Sequence, residues 1–255
     1  MSVPTQKNEA NMSMTVLITG ANRGIGLGLV KILCEKEYRV LATCRNPASA
    51  AELRKILEKS YQPEPIALDV ADDASIEHLR KYLESNQLNV HHLINNAGVA
   101  SKTHPHDPPD NVDREDALRL FNINVCGVSK VTQASGVLRS DNTGGKVINI
   151  SSRQGSIGST LAGASRGIPA SRGATYKASK AAQNMLTACL ALEHPHLIFL
   201  MVSPGWVQTD MGGAGGRTAD LSVEESAEGV IKVMEEASPE MTGKFMDWQG
   251  EEIPF

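Results

Sequence analysis

The sequence predicts an α/β fold: a single domain built on one doubly wound parallel sheet of about seven strands, with helices on both faces. Short, nearly continuous apolar runs alternate along the chain with segments whose apolar residues fall at helical spacing. Strands that are apolar on both sides belong to parallel sheets covered by helix layers. At 255 residues the chain has the length of one such domain.

The first run, Met14-Thr-Val-Leu-Ile-Thr-Gly20, ends in glycine and is followed by Ile25, Leu29, Ile32 and Leu33 at helical spacing, which reads as strand, turn, helix. The pattern repeats with strands at 38–43, 65–70 and 92–95 and helices around Leu53, Ile56 and Leu57 and around Ile76, Leu79 and Leu83. A longer helix over 116–139 precedes a strand at 146–151. The helix carrying Tyr176, a strand at 197–203, a helix at 223–236 and a strand at 244–248 complete the domain. The domain therefore spans 14–255, and the polar residues 1–13 read as a loose tail. Three segments interrupt the rhythm: 104–113 with three prolines, 156–173 rich in Gly, Ser and Ala, and the glycine-rich 211–217. All lie after strands, where binding loops belong, and the last has the composition of a substrate lid.

A formal charge of −4 and a pI near 6.0 leave no broad basic surface, so no nucleic-acid partner is expected. Cys34, Cys44, Cys126 and Cys189 are widely spaced, which predicts reduced thiols rather than a disulfide framework or zinc site. Neither a secretion signal nor a stretch of membrane-spanning length is present, so the expectation is a cytoplasmic protein without membrane partners. His91, His92, His104 and His106 lack a third ligand at metal-site spacing, and no metal is expected; His92 reads as a packed strand residue.

The pair Tyr176 and Lys180 carries the first chemical signal. Residues four apart share a helix face, and a fixed ammonium beside a phenol favours the phenolate, so a lowered Tyr176 pKa is expected. Thr19-Gly20-Ala-Asn-Arg23-Gly24-Ile-Gly26 lies between the first strand and its helix, where glycines let the chain turn tightly and bring a pyrophosphate to the helix N-terminus. The second strand ends Thr43-Cys44-Arg45 with no acid for a ribose hydroxyl. Arg45, with Arg23, can clamp a 2'-phosphate by charge-assisted hydrogen bonds, so NADP(H) fits better than NAD. Asn95-Asn96-Ala97-Gly98 ends the fourth strand, Ser151 and Ser152 end the fifth, and Asn122 and Asn124 lie on the long helix.

Taken in order, Thr19-Gly-x-x-x-Gly-x-Gly26, Asn95-Asn-Ala-Gly98, Asn124, Ser152, Tyr176-x-x-x-Lys180 and Ser203-Pro-Gly205 resemble the short-chain dehydrogenase/reductase family over essentially 14–255. The run Pro204-Gly-Trp-Val-Gln-Thr-Asp-Met-Gly-Gly213 is similar to the sniffer-type carbonyl reductases and the bacterial C-factor group. The resemblance implies a Rossmann-type fold. It also implies Tyr176 as proton donor, Lys180 on the nicotinamide ribose, Ser152 polarising the carbonyl, with Ser151 as fallback, and Asn124 holding a relay water. For NADP(H) it implies contacts from Gly20, Asn22, Arg23, Gly24, Ile25 and Gly26, from Arg45, and from Asp69 and Val70 at the adenine. Asn96, Ala97 and Gly98, Tyr176 and Lys180, and Pro204, Gly205, Val207 and Thr209 complete that set. Asp69 can equally be read as the cap of the next helix.

The implied activity is NADPH-dependent reduction of small carbonyl compounds, whether aldehydes, ketones or quinones. The alternatives are an alcohol or hydroxysteroid dehydrogenase, or a dinucleotide-binding signalling protein. The resemblance implies a homodimer or homotetramer joined through the helices of Asn124 and Tyr176, with monomers also found among carbonyl reductases. The 23 residues between Ser152 and Tyr176 exceed the family's usual spacing, and an inward Arg166 or Arg172 there would favour an anionic substrate.

Overall fold

Each apolar run becomes a strand because both of its faces find a helix layer. A computed structural model describes residues 11, 13–58, 60–103, 106–139, 141–163 and 169–255. Most of the expected tail, together with His104 and Arg166, lies outside the described residues. Among the described residues the strands are β1 Thr15–Ile18, β2 Arg39–Cys44, β3 Ile66–Ala67, β4 His92–Asn95, β5 Lys146–Ile150, β6 Ile198–Ser203 and β7 Phe245–Asp247. All pair in parallel, in the order β3-β2-β1-β4-β5-β6-β7, as the Rossmann reading anticipates. The helices are α1 Gly24–Glu35, α2 Ala51–Leu57, α3 Asp73–Ser85, α4 Arg114–Phe121, α5 Val128–Ala134, α6 Ile157–Leu161, α7 Ala174–Glu193 and α8 Val223–Glu236. None is long and apolar enough to cross a membrane.

Alternation along the strands divides the core in two. Val16 and Ile18 of β1, Ile148 and Ile150 of β5, and Leu200 and Val202 of β6 pack on one face with Leu29 and Leu33 of α1 and Val230 and Met234 of α8. Leu17, Val147 and Phe199 face the other way, onto Leu79 of α3 and Val131 of α5. Three caps fit their helices: Asp72 accepts from Ala74 N and Ser75 N of α3, Asp113 caps α4, and Ser222 with Glu225 forms a capping box on α8.

Two elements depart from expectation. The helix expected over 116–139 runs as α4, a π-helical stretch Asn122–Gly127 and α5, and Gly136, at a φ of 74°, stands just beyond its end. The widened turn coincides with a tight contact, because a Cβ on Gly127 would lie 2.5 Å from the Val70 carbonyl oxygen. The third strand is shorter than 65–70: Leu68 still donates to the Cys44 carbonyl at 2.9 Å, but at Asp69 the chain turns as its Oδ1 accepts from Ala71 N. His92 is the packed strand residue expected; its Nδ1 accepts from Lys146 N, and burial pulls its pKa down to about 4.

A polar row unreadable from the sequence crosses this apolar interior. Asn95 Nδ2 donates to Thr132 Oγ1 (3.0 Å) and Asn149 Oδ1 (2.8 Å), and Asn149 Nδ2 donates to Thr187 Oγ1 (2.8 Å), joining α5, β4, β5 and α7. These four residues are 0–2 % exposed, where an orphaned polar group is costly. Asn95→Leu keeps the branched heavy-atom shape but strips Asn149 Oδ1 of its donor. Urea unfolding should show a loss of about 1–3 kcal/mol; an unchanged midpoint would contradict this role.

Candidate active site

The strand order reverses between β1 and β4, and the loops leaving these neighbours diverge to open a cleft at the carboxyl edge of the sheet. The cleft measures about 500 Å³, within the roughly 300–1,000 Å³ of ligand sites. Its centre is the glycine turn. Gly20 has a φ of 65° and Gly24 of 51°, a region that favours glycine. A Cβ on Gly26 would stand 2.2 Å from the Gly20 carbonyl oxygen and 2.5 Å from Asn96 Nδ2. No side chain caps the start of α1, so its first amides are left for an anion. Asn22, Ile25, Ala97 and Gly98 line the same cleft.

Asn96 and Thr19 brace this turn. Asn96 Nδ2 donates to the carbonyls of Thr19 and Gly20, and Thr19 Oγ1 accepts from the amides of Asn96 and Ala97, all at 3.0 Å. The Asn96 amide is thus occupied in shaping the cleft wall.

Arg45, Asp69 and Val70 line the β2–β3 end. Arg45 is exposed there beside the buried Cys44. Asp69 does not cap α3, since Asp72 does. Arg23 differs from its expected role as a partner of Arg45: its Nη1 is ion-paired with Asp210 Oδ2 at 2.6 Å, linking the glycine turn to the loop after β6. That loop also brings Pro204, Gly205, Val207 and Thr209 to the cleft; Gly205 has a φ of 87°.

At the β5–β6 end, Tyr176 is 6 % exposed and hydrogen-bonded to the Ser152 side chain. Ser151 turns away and donates to Asn184 Oδ1 at 2.6 Å. Lys180 is buried, its Nζ donating to the Ile150 carbonyl (2.7 Å) and Gln183 Oε1 (2.8 Å). Asn124, fully buried, donates through Nδ2 to the Val99 carbonyl and Ser179 Oγ and accepts from Val99 N. Its side chain thereby ties the loop after β4 to α7.

One electrostatic expectation is overturned. The Lys180 charge, 6.0 Å from the Tyr176 ring centre, does not lower the phenol. Burial pushes Tyr176 up to about 12, with the Ser152 hydrogen bond opposing it, and burial pulls Lys180 down to about 7. Desolvation outweighs a charge at that separation when both groups are enclosed.

Several residues that shape the site were not among the expected site residues. Asp107, in the proline-rich loop, accepts from Ser101 Oγ and Thr175 N, and its carbonyl accepts from Gly173 N, so it holds the start of the Tyr176 helix. Burial would raise its carboxyl, but these donors prevail and keep it below the usual range. Gln154, Trp206, Met211 and Arg217 line the β6 side. No sequence signal marked Asp107, because the helix it holds lies far along the chain. Arg172 is half-buried and does not line the cleft.

The model of the family described as short chain dehydrogenase matches residues 14–220. The chain belongs to the short-chain dehydrogenase family. This short-chain dehydrogenase is similar to an NADPH-bound carbonyl reductase from chicken fatty liver (TM-score 0.82, 34 % identity, covering 94 % of this chain and 98 % of that one). It is also similar to the carbonyl reductase Sniffer of D. melanogaster (TM-score 0.81, 27 % identity, 94 % and 99 % covered). The C-signal protein of Myxococcus xanthus is 34 % identical over 64 % of this chain and 91 % of its own length. The sniffer and C-factor likeness read from residues 204–213 agrees with these relatives.

The depressed Lys180 gives this short-chain dehydrogenase a pH signature. Unfolded, the lysine titrates near its ordinary 10.5; folded, near 7. Between those values the unfolded chain holds more protons, so this group's contribution to stability is present above 10.5 and is lost as pH falls towards 7. Between pH 7.5 and 9, wild type should gain stability relative to Lys180→Met, by up to about 1.4 kcal/mol per pH unit. Parallel urea midpoints for the two proteins across that range would contradict it.

Proposed function

We propose that this protein is an NADPH-dependent reductase of small carbonyl compounds (aldehydes, ketones or quinones), yielding alcohols. The observation that carries the reading is the enclosed Tyr176–Ser152 hydrogen bond with a phenol pushed up to about 12. Burial keeps the phenol protonated, and beside the Ser152 hydroxyl it stands where a carbonyl oxygen gaining charge could take its proton. The NADPH-bound neighbour supports the cofactor, as does the Arg45 terminus of β2, which lacks an acid.

The glycine turn and the uncapped start of α1 suit a pyrophosphate. Arg45 would hold a 2'-phosphate, Asp69 and Val70 would flank the adenine, and Lys180 would reach the ribose. NADPH would supply the hydride. Ser152 donates a hydrogen bond to the carbonyl oxygen and stabilises its developing charge. Tyr176 delivers its proton to that oxygen, and Lys180, held by Ile150 and Gln183 with its Nζ 6.0 Å from the Tyr176 ring centre, would in its protonated form stabilise the phenolate left behind. Asn124 keeps Val99 and the Tyr176 helix in register through Ser179. The C-signal relative favours one other reading, a dinucleotide-binding signalling protein; turnover separates the two.

NADPH oxidation by the purified protein against aldehydes, aryl ketones and quinones tests the proposal. Turnover is expected, falling at least about 100-fold in Tyr176→Phe, the scale of general acid catalysis, with NADPH binding retained. Arg45→Ala should raise the KM for NADPH about tenfold or more and that for NADH little, since a charge-assisted contact is worth roughly 1.5–3 kcal/mol. Binding of NADPH with no turnover of any carbonyl would reject generic carbonyl reduction.

Self-association through α4 and α7 is the second part of the proposal. The two helices pack side by side and expose Leu118, Phe121, Met185 and Leu192, an apolar face of the kind that marks interaction surfaces. Light scattering should give a dimer or tetramer mass that Leu118→Glu with Leu192→Glu reduces to monomer. A monomeric wild type would overturn this part.

A further inference from the structure

Four cationic side chains line the cleft, and three have an evident engagement or subsite. Arg23 is paired with Asp210, Lys180 donates to Ile150 and Gln183, and Arg45 stands at the β2 end. The fourth, Arg217, is half-buried. Its Nε donates to the Ala214 carbonyl at 2.9 Å, its guanidinium lies 5.4 Å over the Trp206 ring, and among the described residues it has no carboxylate partner. Burial lowers its pKa from the ordinary value, the mark of a cation stripped of water without a counter-ion.

Its place in the fold sets it apart from Arg45 at the β2 end. Trp206 follows β6, and Ser203 at the end of β6 accepts from Arg153 N, the residue after Ser152. The loop runs out to the glycine turn, where a Cβ on Gly24 would touch Thr209 Cγ2 at 3.2 Å, and returns so that Leu221 N bonds the Trp206 carbonyl. Arg217 lies on that return leg. Trp206, over which it lies, follows β6, four strands across the sheet from the β2 strand that leads to Arg45.

A guanidinium stacked on an aromatic ring keeps a fixed plane and presents paired N–H donors that match a carboxylate. We propose that Arg217, held on Trp206, is a specificity-determining residue that selects carbonyl substrates bearing a carboxylate or similar anionic group. Among the described residues, the arginine that suits an anionic substrate thus lies in the glycine-rich loop after β6. The inference rests on the carbonyl-reductase reading for its chemistry but not for the binding itself.

The test compares a matched pair, benzaldehyde and 4-carboxybenzaldehyde, with NADPH in wild type, Arg217→Gln and Arg217→Lys. Because the neutral aldehyde is the internal reference, any loss common to both substrates cancels. The ratio of kcat/KM, anionic over neutral, should fall about tenfold or more in Arg217→Gln and recover in part in Arg217→Lys. An unchanged ratio overturns the inference, as does an unchanged ratio accompanied by weaker NADPH binding, which would assign Arg217 to the cofactor. A second arm needs no turnover: benzoate is titrated against wild type and Arg217→Gln by tryptophan fluorescence, with benzamide as the neutral control. Benzoate binding lost in Arg217→Gln supports the inference even if neither aldehyde is reduced, an outcome that would count against the carbonyl-reductase reading alone. Benzoate binding equal in both proteins, or absent from wild type, overturns the inference.

Discussion

Four hydrogen bonds of 3.0 Å between Thr19–Gly20 and Asn96–Ala97 hold the seam between β1 and β4, and the cleft depends on them. Each strand leads its chain away in a different direction at this point, so the backbone groups beyond the last ladder bond need other partners. Thr19 and Asn96 provide those partners from side chains. The glycine turn can then keep positive φ values and the start of α1 can stay uncapped, because the turn is braced from β4 rather than by its own helix. Gly26 completes the arrangement, since any side chain there would displace both the Gly20 carbonyl and the Asn96 amide.

From this seam the cleft runs towards β3 on one side and β6 on the other, and its two ends differ in dielectric character. The β2–β3 end is open, with Arg45 exposed. The β5–β6 end is closed over Tyr176 and Lys180, and enclosure decides their protonation: the phenol is held neutral and the ammonium is pulled towards neutrality. The polar row of Asn95, Asn149, Thr132 and Thr187 fixes α7, which carries both Tyr176 and Lys180, to the sheet. Asp107 secures the first turn of α7 from a loop that is distant in sequence.

The alternation of apolar runs was sufficient for the sheet, because a strand buried on both faces leaves no other reading of its composition. The helix at 223–236 and the strand at 92–95 agree with their expected limits for the same reason. The π-helical stretch was not legible, since it depends on Gly127 meeting Val70, a contact between distant segments. Nor was the direction of the Tyr176 shift: spacing reveals a neighbouring charge, whereas burial is a property of the assembled site. The residues of the glycine turn, Ser152, Tyr176 and Lys180 stood out because their types and spacings are unusual together. Asp107 did not, because its partners are supplied by the fold, and the approach of Arg217 to Trp206 was likewise hidden, although both lie in segments whose residues stood out. Arg23 was legible as a cation near the cleft, but its pairing with Asp210 joins residues 187 positions apart.

The central claim is that this cleft brings a hydride donor and a carbonyl together against Ser152 and Tyr176. Tracing the hydride tests it most directly, using NADPH deuterated at both C4 positions of the nicotinamide with an aryl aldehyde and mass analysis of the product. The account predicts an alcohol carrying one deuterium on the former carbonyl carbon, formed in step with cofactor oxidation. Cofactor oxidation without labelled alcohol, or no alcohol from any carbonyl despite saturating NADPH, would contradict it.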